Sequence, residues 1–296
     1  MTPFSSSDES NHMKPFNIVP IQNALFDIYV SIAKVCEQLG LRHYLVAGSA
    51  LGALRHGGFI PWDDDIDMSM PRKDFVRFKT EGMSLMPSHL KWVDIHNTPE
   101  YPYLFAKVMD SRRDVHARVA EQSGAPVAQG LFVDVWAIDG IPQNPFRRIS
   151  RWFGKQRIRR AMSYRLTDDP LSVGQRLVWP LSWLAALSMP RCKTLHDFLA
   201  VIEKRDQSVD MRDSALSGFA TEHWYEFYRP TPTRFFDPPR WLTFCGRKVP
   251  VPANVEWHLS QVFGPDYMTP PPPEERHPYH AASFDAPWKF GPTTPP

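Results

Sequence analysis

Four aspartates fall within five positions, Asp63-Asp64-Asp65-Ile66-Asp67, and the run continues into Met68-Ser69-Met70. Carboxylates this close repel one another and oppose folding unless a cation neutralises them. From Asp65 onward polar and apolar residues alternate. That pattern predicts a strand with Asp65, Asp67 and Ser69 on one face and Ile66, Met68 and Met70 on the other. Two carboxylates pointing the same way can grip one or two divalent cations, and hard oxygen ligands favour magnesium or manganese. A bare Asp-x-Asp also fits a solvated acidic loop or a calcium site, so its surroundings decide.

Those surroundings alternate between helix and strand. Ile21, Leu25, Ile28, Ile32, Val35 and Leu39 form a stripe of helical period, and Gly40 stands where a left-handed cap is common. Arg42–Ala47 reads as a strand. It runs into Gly48-Ser49 at a strand-to-helix turn, where backbone N–H groups and the helix dipole favour phosphate. Pro71 ends the acidic strand, and a helix follows over Arg72–Thr80. Tyr103–Met109 and Leu131–Ile138 read as further strands, the latter carrying Asp134 in Phe132-Val-Asp-Val-Trp136. A Gly-Ser turn, an Asp-x-Asp strand and a lone Asp on a later strand, in that order, are the signature of the polymerase-β-like nucleotidyltransferase fold. The expected class is therefore α/β (α+β), with a mixed sheet, a helical insertion and a Pro-rich C-terminal segment. Expected boundaries are a disordered leader at 1–16, a nucleotidyltransferase core at 17–142, a basic and Trp-rich helical insertion at 143–207, and a segment packing on the core at 208–296.

Composition narrows the partners. The chain has 296 residues, with 34 basic against 32 acidic and a net charge of +2. That balance argues against nucleic acid as a partner. Cys36, Cys192 and Cys245 are scattered and odd in number, which fits neither a disulfide framework nor a structural zinc site and suits a reducing compartment. The N-terminal MTPFSSSDESNHMKPF lacks the pattern of a secretory signal, and Leu177–Pro190 is shorter than the roughly 20 apolar residues of a membrane span. A cytoplasmic location is expected. Arg147–Arg165 holds eight basic residues and no acidic one. With Leu177–Pro190 it reads either as helices lying on an anionic bilayer, with Trp179 and Trp183 at the interface, or as a helical pair packed on the core with a solvated basic face.

The stretch Ala47-Gly-Ser-Ala-Leu-Gly-Ala-Leu-Arg-His-Gly-Gly-Phe-Ile-Pro-Trp-Asp-Asp-Asp-Ile-Asp67, with Met70-Pro-Arg-Lys-Asp-Phe75, closely resembles the LicD family. That family includes bacterial phosphocholine transferases and is related to the fukutin-related proteins, which handle CDP-ribitol. Gly130–Pro142 resembles its second motif. Phe244–Pro252, Val262–Met268 and Pro270–Pro273 resemble its C-terminal block. The long gap between Ser49 and Asp65 is itself a mark of the family.

The resemblance implies a catalytic metal site at Asp65 and Asp67, with Asp134 as third carboxylate and Mg2+ (or Mn2+) as cofactor. It also implies that Lys107, with Arg112 and Arg113 beyond it, approaches the donor phosphates. The implied reaction is in-line transfer of a phospho-alcohol, phosphocholine first among choline, ribitol, glycerol and ethanolamine phosphates, from a CDP-alcohol donor to a glycan or lipid-linked glycan. Gly48 and Ser49 would hold phosphate oxygens. Either Asp134 acts as general base or a second metal lowers the acceptor's pKa. Arg55 and His56 reach donor phosphate or form a solvated helix end. Trp62 stacks on cytosine, closes around a quaternary ammonium, or fixes its loop by packing.

Overall fold

The computed structural model describes residues 17–98, 101–112, 130–166, 173–219 and 230–278, without the side chains of 173–179. The expected leader at 1–16, Arg113 and the Trp179 side chain lie outside them.

Helix α1 spans Val19–Leu39, with Pro20 in its first turn, and buries Ile21, Leu25, Ile28, Ile32 and Val35. This is the predicted stripe. Gly40 closes the helix at φ 63°, and the Leu41 N–H donates to the Cys36 carbonyl (2.8 Å). The next strand is much shorter than expected. β1 is only Tyr44–Leu45, because α2 (Ala47–Arg55) already begins at Ala47. The acidic strand starts later than expected: β2 is Asp67–Pro71, and Asp65 lies outside it, two residues before its start. Pro71 is the last strand residue, and α3 (Arg72–Thr80) follows without a loop.

β3 (Leu90–Val93), β4 (Ala106–Asp110) and the ten-residue β5 (Leu131–Gly140) complete the central path β1-β2-β5-β4-β3. β5 is the hub. It runs parallel to β2, antiparallel to β4 through its first half, and antiparallel to β6 (Leu216–Phe219) through its end. β7 (Thr231–Pro232) pairs with β6. The sheet is mixed, as expected for an α/β chain.

Period-two alternation gives the sheet two unlike faces. Met68, Met70, Val108, Val133 and Val135 share one buried cluster with the apolar stripe of α1. Burying that face supplies the main driving force, at ~25 cal/mol per Å² of apolar surface. The opposite face carries Asp67, Lys107 and Asp134. Part of it is covered by a second cluster, in which Met109 meets helices α4 (Pro145–Leu166), α5 (Val173–Leu187) and α6 (Leu195–Asp206) through Ile158, Ala161, Ala186, Phe198 and Ile202. Thr194 caps α6 in a reciprocal capping box with Asp197.

Arg72 ties this helical layer to the sheet. It holds Asp139 through two hydrogen bonds (2.9 and 2.7 Å) and reaches Glu203 on α6 at 3.2 Å. Part of the basic stretch serves the same purpose: Arg151 and Lys155 each meet buried Asp206 at 2.9 Å. The C-terminal segment is more regular than its proline content suggests. Arg240–Phe244 and Arg247–Val251 form hairpin β8–β9, and Val255–Phe263 forms α7.

Candidate active site

Asp67, Asp134 and Lys107 are direct neighbours across three strands. Asp67 is in register with Asp134 on the parallel pair, and Asp134 with Lys107 on the antiparallel pair. Register partners share a sheet face, so the three side chains stand in one row. The Asp134 N–H donates to the Ile66 carbonyl (2.9 Å), which fixes the row where the acidic run enters the sheet. Lys107 Nζ donates to Asp134 Oδ1 at 2.6 Å, with both side chains buried. Trp136, two residues beyond Asp134 on the same face, donates its Nε1–H to Asp67 Oδ1 (3.1 Å).

The start of α2 abuts this row. The Asp67 N–H donates to Ser49 Oγ (2.9 Å), so Ser49 braces the backbone of the acidic strand. A Cβ on Gly48 would stand 3.0 Å from Asp63 Oδ2; glycine here is what admits the carboxylate. Ala47 holds φ 45°, a left-handed value that costs a non-glycine residue ~1–2 kcal/mol. Its N–H donates to Nε2 of buried His258 on α7 (3.1 Å).

The loop from Arg55 to Trp62 is fixed from outside. Gln22 of α1 donates to the carbonyls of Ile60 (3.2 Å) and Asp63 (2.9 Å). Gly52 allows the loop to cross α2, since a Cβ there would lie 2.4 Å from the Gly58 carbonyl oxygen.

The electrostatics match the crowding. Burial, then Asp65, Asp67 and Asp64, push the Asp63 carboxyl up to about 9, and Asp63 shares a hydrogen bond with Asp65. Burial, then Asp65 and Asp134, hold Asp67 well above the usual carboxylate range, against the opposing Trp136 N–H and Lys107. Carboxylates that hold protons for lack of positive charge have the donor chemistry of a hard divalent cation. Among the described residues, no three metal-ligating side chains already converge as a ligand set. Asp134 leans to Lys107 and Asp67 to Trp136. The oxygen donors fit such an ion; their present orientation is set by these two partners.

A row of rings flanks the carboxylates. Tyr103 stacks on Phe105 (centroids 4.8 Å apart) and Phe105 on Trp136 (4.1 Å), while Lys107 Nζ sits 3.2 Å from the Phe132 centroid.

The other expected site residues lie elsewhere. Arg55, at the far end of α2, donates to the Tyr267 carbonyl (3.0 Å). Trp62 packs on the main core, with the Arg276 guanidinium 5.3 Å from its ring centroid. Arg112 wraps Asp110 with bonds of 3.0 and 2.8 Å at the end of β4 remote from the row. The acidic run includes Asp63, but the sequence alone assigns no role to Trp136, Arg276 or His258. The i+2 spacing from Asp134 signals Trp136; nothing local signals His258, which comes from a distant helix.

Residues 40–159 match the profile of the LicD/FKTN/FKRP nucleotidyltransferase domain. The chain is 28% identical over 280 residues to "Lipopolysaccharide cholinephosphotransferase LicD" of Haemophilus influenzae, covering 90% of this chain and 97% of that protein. It is 46% identical over 43 residues to "Ribitol 5-phosphate transferase FKRP" of Mus musculus and of Homo sapiens, a stretch covering 14% of this chain and 9% of each relative. The matched domain, together with similarity along nine-tenths of its length to a LicD cholinephosphotransferase, makes this chain similar to the LicD phosphotransferases.

Proposed function

We propose that this protein transfers a phospho-alcohol, phosphocholine first, from a CDP-activated donor to a hydroxyl of a cell-surface glycan and releases CMP. The observation that carries the reading is the Asp67–Asp134–Lys107 row beside the Gly48-Ser49 turn, in a chain similar end to end to a lipopolysaccharide cholinephosphotransferase. The core is read as a polymerase-β-like nucleotidyltransferase fold acting in the cytoplasm.

Asp65 and Asp67, with Asp134 as third ligand, would hold Mg2+ or Mn2+. Such an ion, when bound, neutralises the donor's pyrophosphate charge. The protein's own groups do the rest. The backbone at Gly48 and the Lys107 ammonium orient phosphate oxygens. Asp134, held by Lys107, takes the acceptor hydroxyl's proton at its carboxylate. The Tyr103–Phe105–Trp136 rings beside the carboxylates support a quaternary ammonium alcohol over a polyol. The short FKRP similarity keeps ribitol phosphate as the second donor.

The test is a panel of CDP-choline, CDP-ribitol, CDP-glycerol and CDP-ethanolamine with magnesium, scored by thermal protection and by the nucleotide released. CDP-choline is expected to protect most and to yield CMP. Pyrophosphate as product would instead mean nucleotidyl transfer.

A further inference from the structure

A groove of about 450 Å³ opens between α1 and the β8–β9 hairpin, at the end of β1 away from the acidic row. β1 runs antiparallel to β2 and leaves toward α2 and the carboxylates. Leu41, Arg42 and His43 enter from the opposite end and line this groove instead. Its volume lies within the ~300–1,000 Å³ of small-ligand pockets.

Tyr29 and His43 lie together in it, Tyr29 Oη 3.4 Å from His43 Nε2. Arg247 and Lys248, adjacent on β9, add two cations, and Glu37 is the one carboxylate of the lining. Neither Arg247 nor Lys248 has an ion pair among the described residues. This is unusual on this side of the molecule. Arg42 is committed to Asp237 and to Asp74. In the neighbouring depression Lys73 pairs with Asp210, Arg77 with Glu81 and Arg212 with Asp74. Arg247 lines the groove with Tyr29 and His43, and its charge acts on both. Trp241 of β8, on the hairpin face that carries Lys248, also lines the groove and is 57% exposed although it is a large apolar ring.

Arg247 and Lys248 come from opposite faces of β9 and line the same groove, so an arginine fork and a lysine ammonium offer bidentate and point-charge contacts to a doubly charged phosphate lying across it. A tryptophan face in the same lining offers a stacking surface for the apolar face of a sugar ring. We propose that this groove is a second binding site, separate from the acidic row, for a phosphomonoester-bearing saccharide. On the reading of the protein as a glycan-modifying transferase, this ligand is a phosphorylated sugar of the acceptor, anchored away from the reacting hydroxyl.

Calorimetry on the full chain with glucose 6-phosphate, glucose and inorganic phosphate tests this. Glucose 6-phosphate is expected to bind at least about tenfold more tightly than inorganic phosphate, and glucose not measurably. The double variant Arg247→Ala/Lys248→Ala should lose about tenfold or more of that affinity. Lys248→Glu, at an exposed position, should act in the same direction and guards against a folding defect in the double variant. Trp241→Ala should erase the preference over inorganic phosphate. Asp67→Asn should bind glucose 6-phosphate like wild type, whatever becomes of transfer. Equal affinity in wild type and the charge variants would overturn the proposal. So would loss of binding in Asp67→Asn, which would put the ligand in the acidic row, or no preference over inorganic phosphate.

Discussion

Asp67 and Asp134 are far apart in sequence and side by side in the sheet. Each was visible alone, as an aspartate between apolar residues of a strand. Their register was not, because pairing is decided by the whole sheet and no local residue encodes it. The cations show the converse. Arg55 and Arg112 stand near the motifs in sequence, yet each satisfies a nearby acceptor, Tyr267 O and Asp110. Lys107 reaches Asp134 because its strand is the next one over. His258 illustrates a role that only three dimensions reveal. Burial lowers its pKa to about 4, so its neutral Nε2 accepts the N–H of left-handed Ala47. A histidine neutral in the fold but protonated when unfolded makes stability fall with acidity. The contribution is whole above about 6.5 and is lost as pH drops toward about 4. Urea unfolding from pH 7.5 to 4.5 should show a loss on the order of 3 kcal/mol attributable to this site. His258→Gln should flatten that part of the profile, and an unchanged slope in the variant would refute it.

At the scale of elements, helices with a clear signal are legible: α1 follows the stripe that starts at Ile21, and α3 has the expected Arg72–Thr80 bounds. Strand ends are not. β1 shrinks to two residues and β2 starts at Asp67, because α2 begins as soon as the chain clears Val46. The long Ser49–Asp65 gap gains a physical account from the packing of α2. Gly52 lets the Gly58 carbonyl cross the helix, and Gln22 fixes the loop's return at Ile60 and Asp63. Gly52→Ala should therefore cost ~1–3 kcal/mol through overpacking, and should reduce transfer by shifting Asp63 away from Gly48. Thermal unfolding and a transfer assay on this variant check both effects; wild-type values in each would show that the crossing is not needed.

For the molecule as a whole, the helical layer is joined to the sheet by buried ion pairs, and its outer surface is unusually apolar. Phe146 is 78% exposed and Phe153 61%, at i and i+7 of α4, while Trp183, Leu184 and Leu187 are exposed on α5. Exposed Arg147 and Arg157 lie on α4 as well, whereas Arg151 and Lys155 are engaged with Asp206. Among the described residues no helix is long and apolar enough to cross a membrane. These features support contact with an anionic bilayer surface. Flotation with anionic vesicles should recover the protein at low salt, less at high salt, and less again for Phe146→Ser/Phe153→Ser. Absence of binding to anionic vesicles at low salt would leave the basic face as a solvated one. The proposed chemistry depends on the carboxylate row acting as one unit. Its most direct measurement is CMP release from CDP-choline, with acceptor and Mg2+, by Asp67→Asn and Asp134→Asn. Asp67→Asn should keep the wild-type unfolding transition. Asp134→Asn, which leaves buried Lys107 without its counter-charge, should unfold more readily while still folded in the assay. Both should lose at least ~100-fold in kcat; turnover near wild type in either would contradict the proposed site.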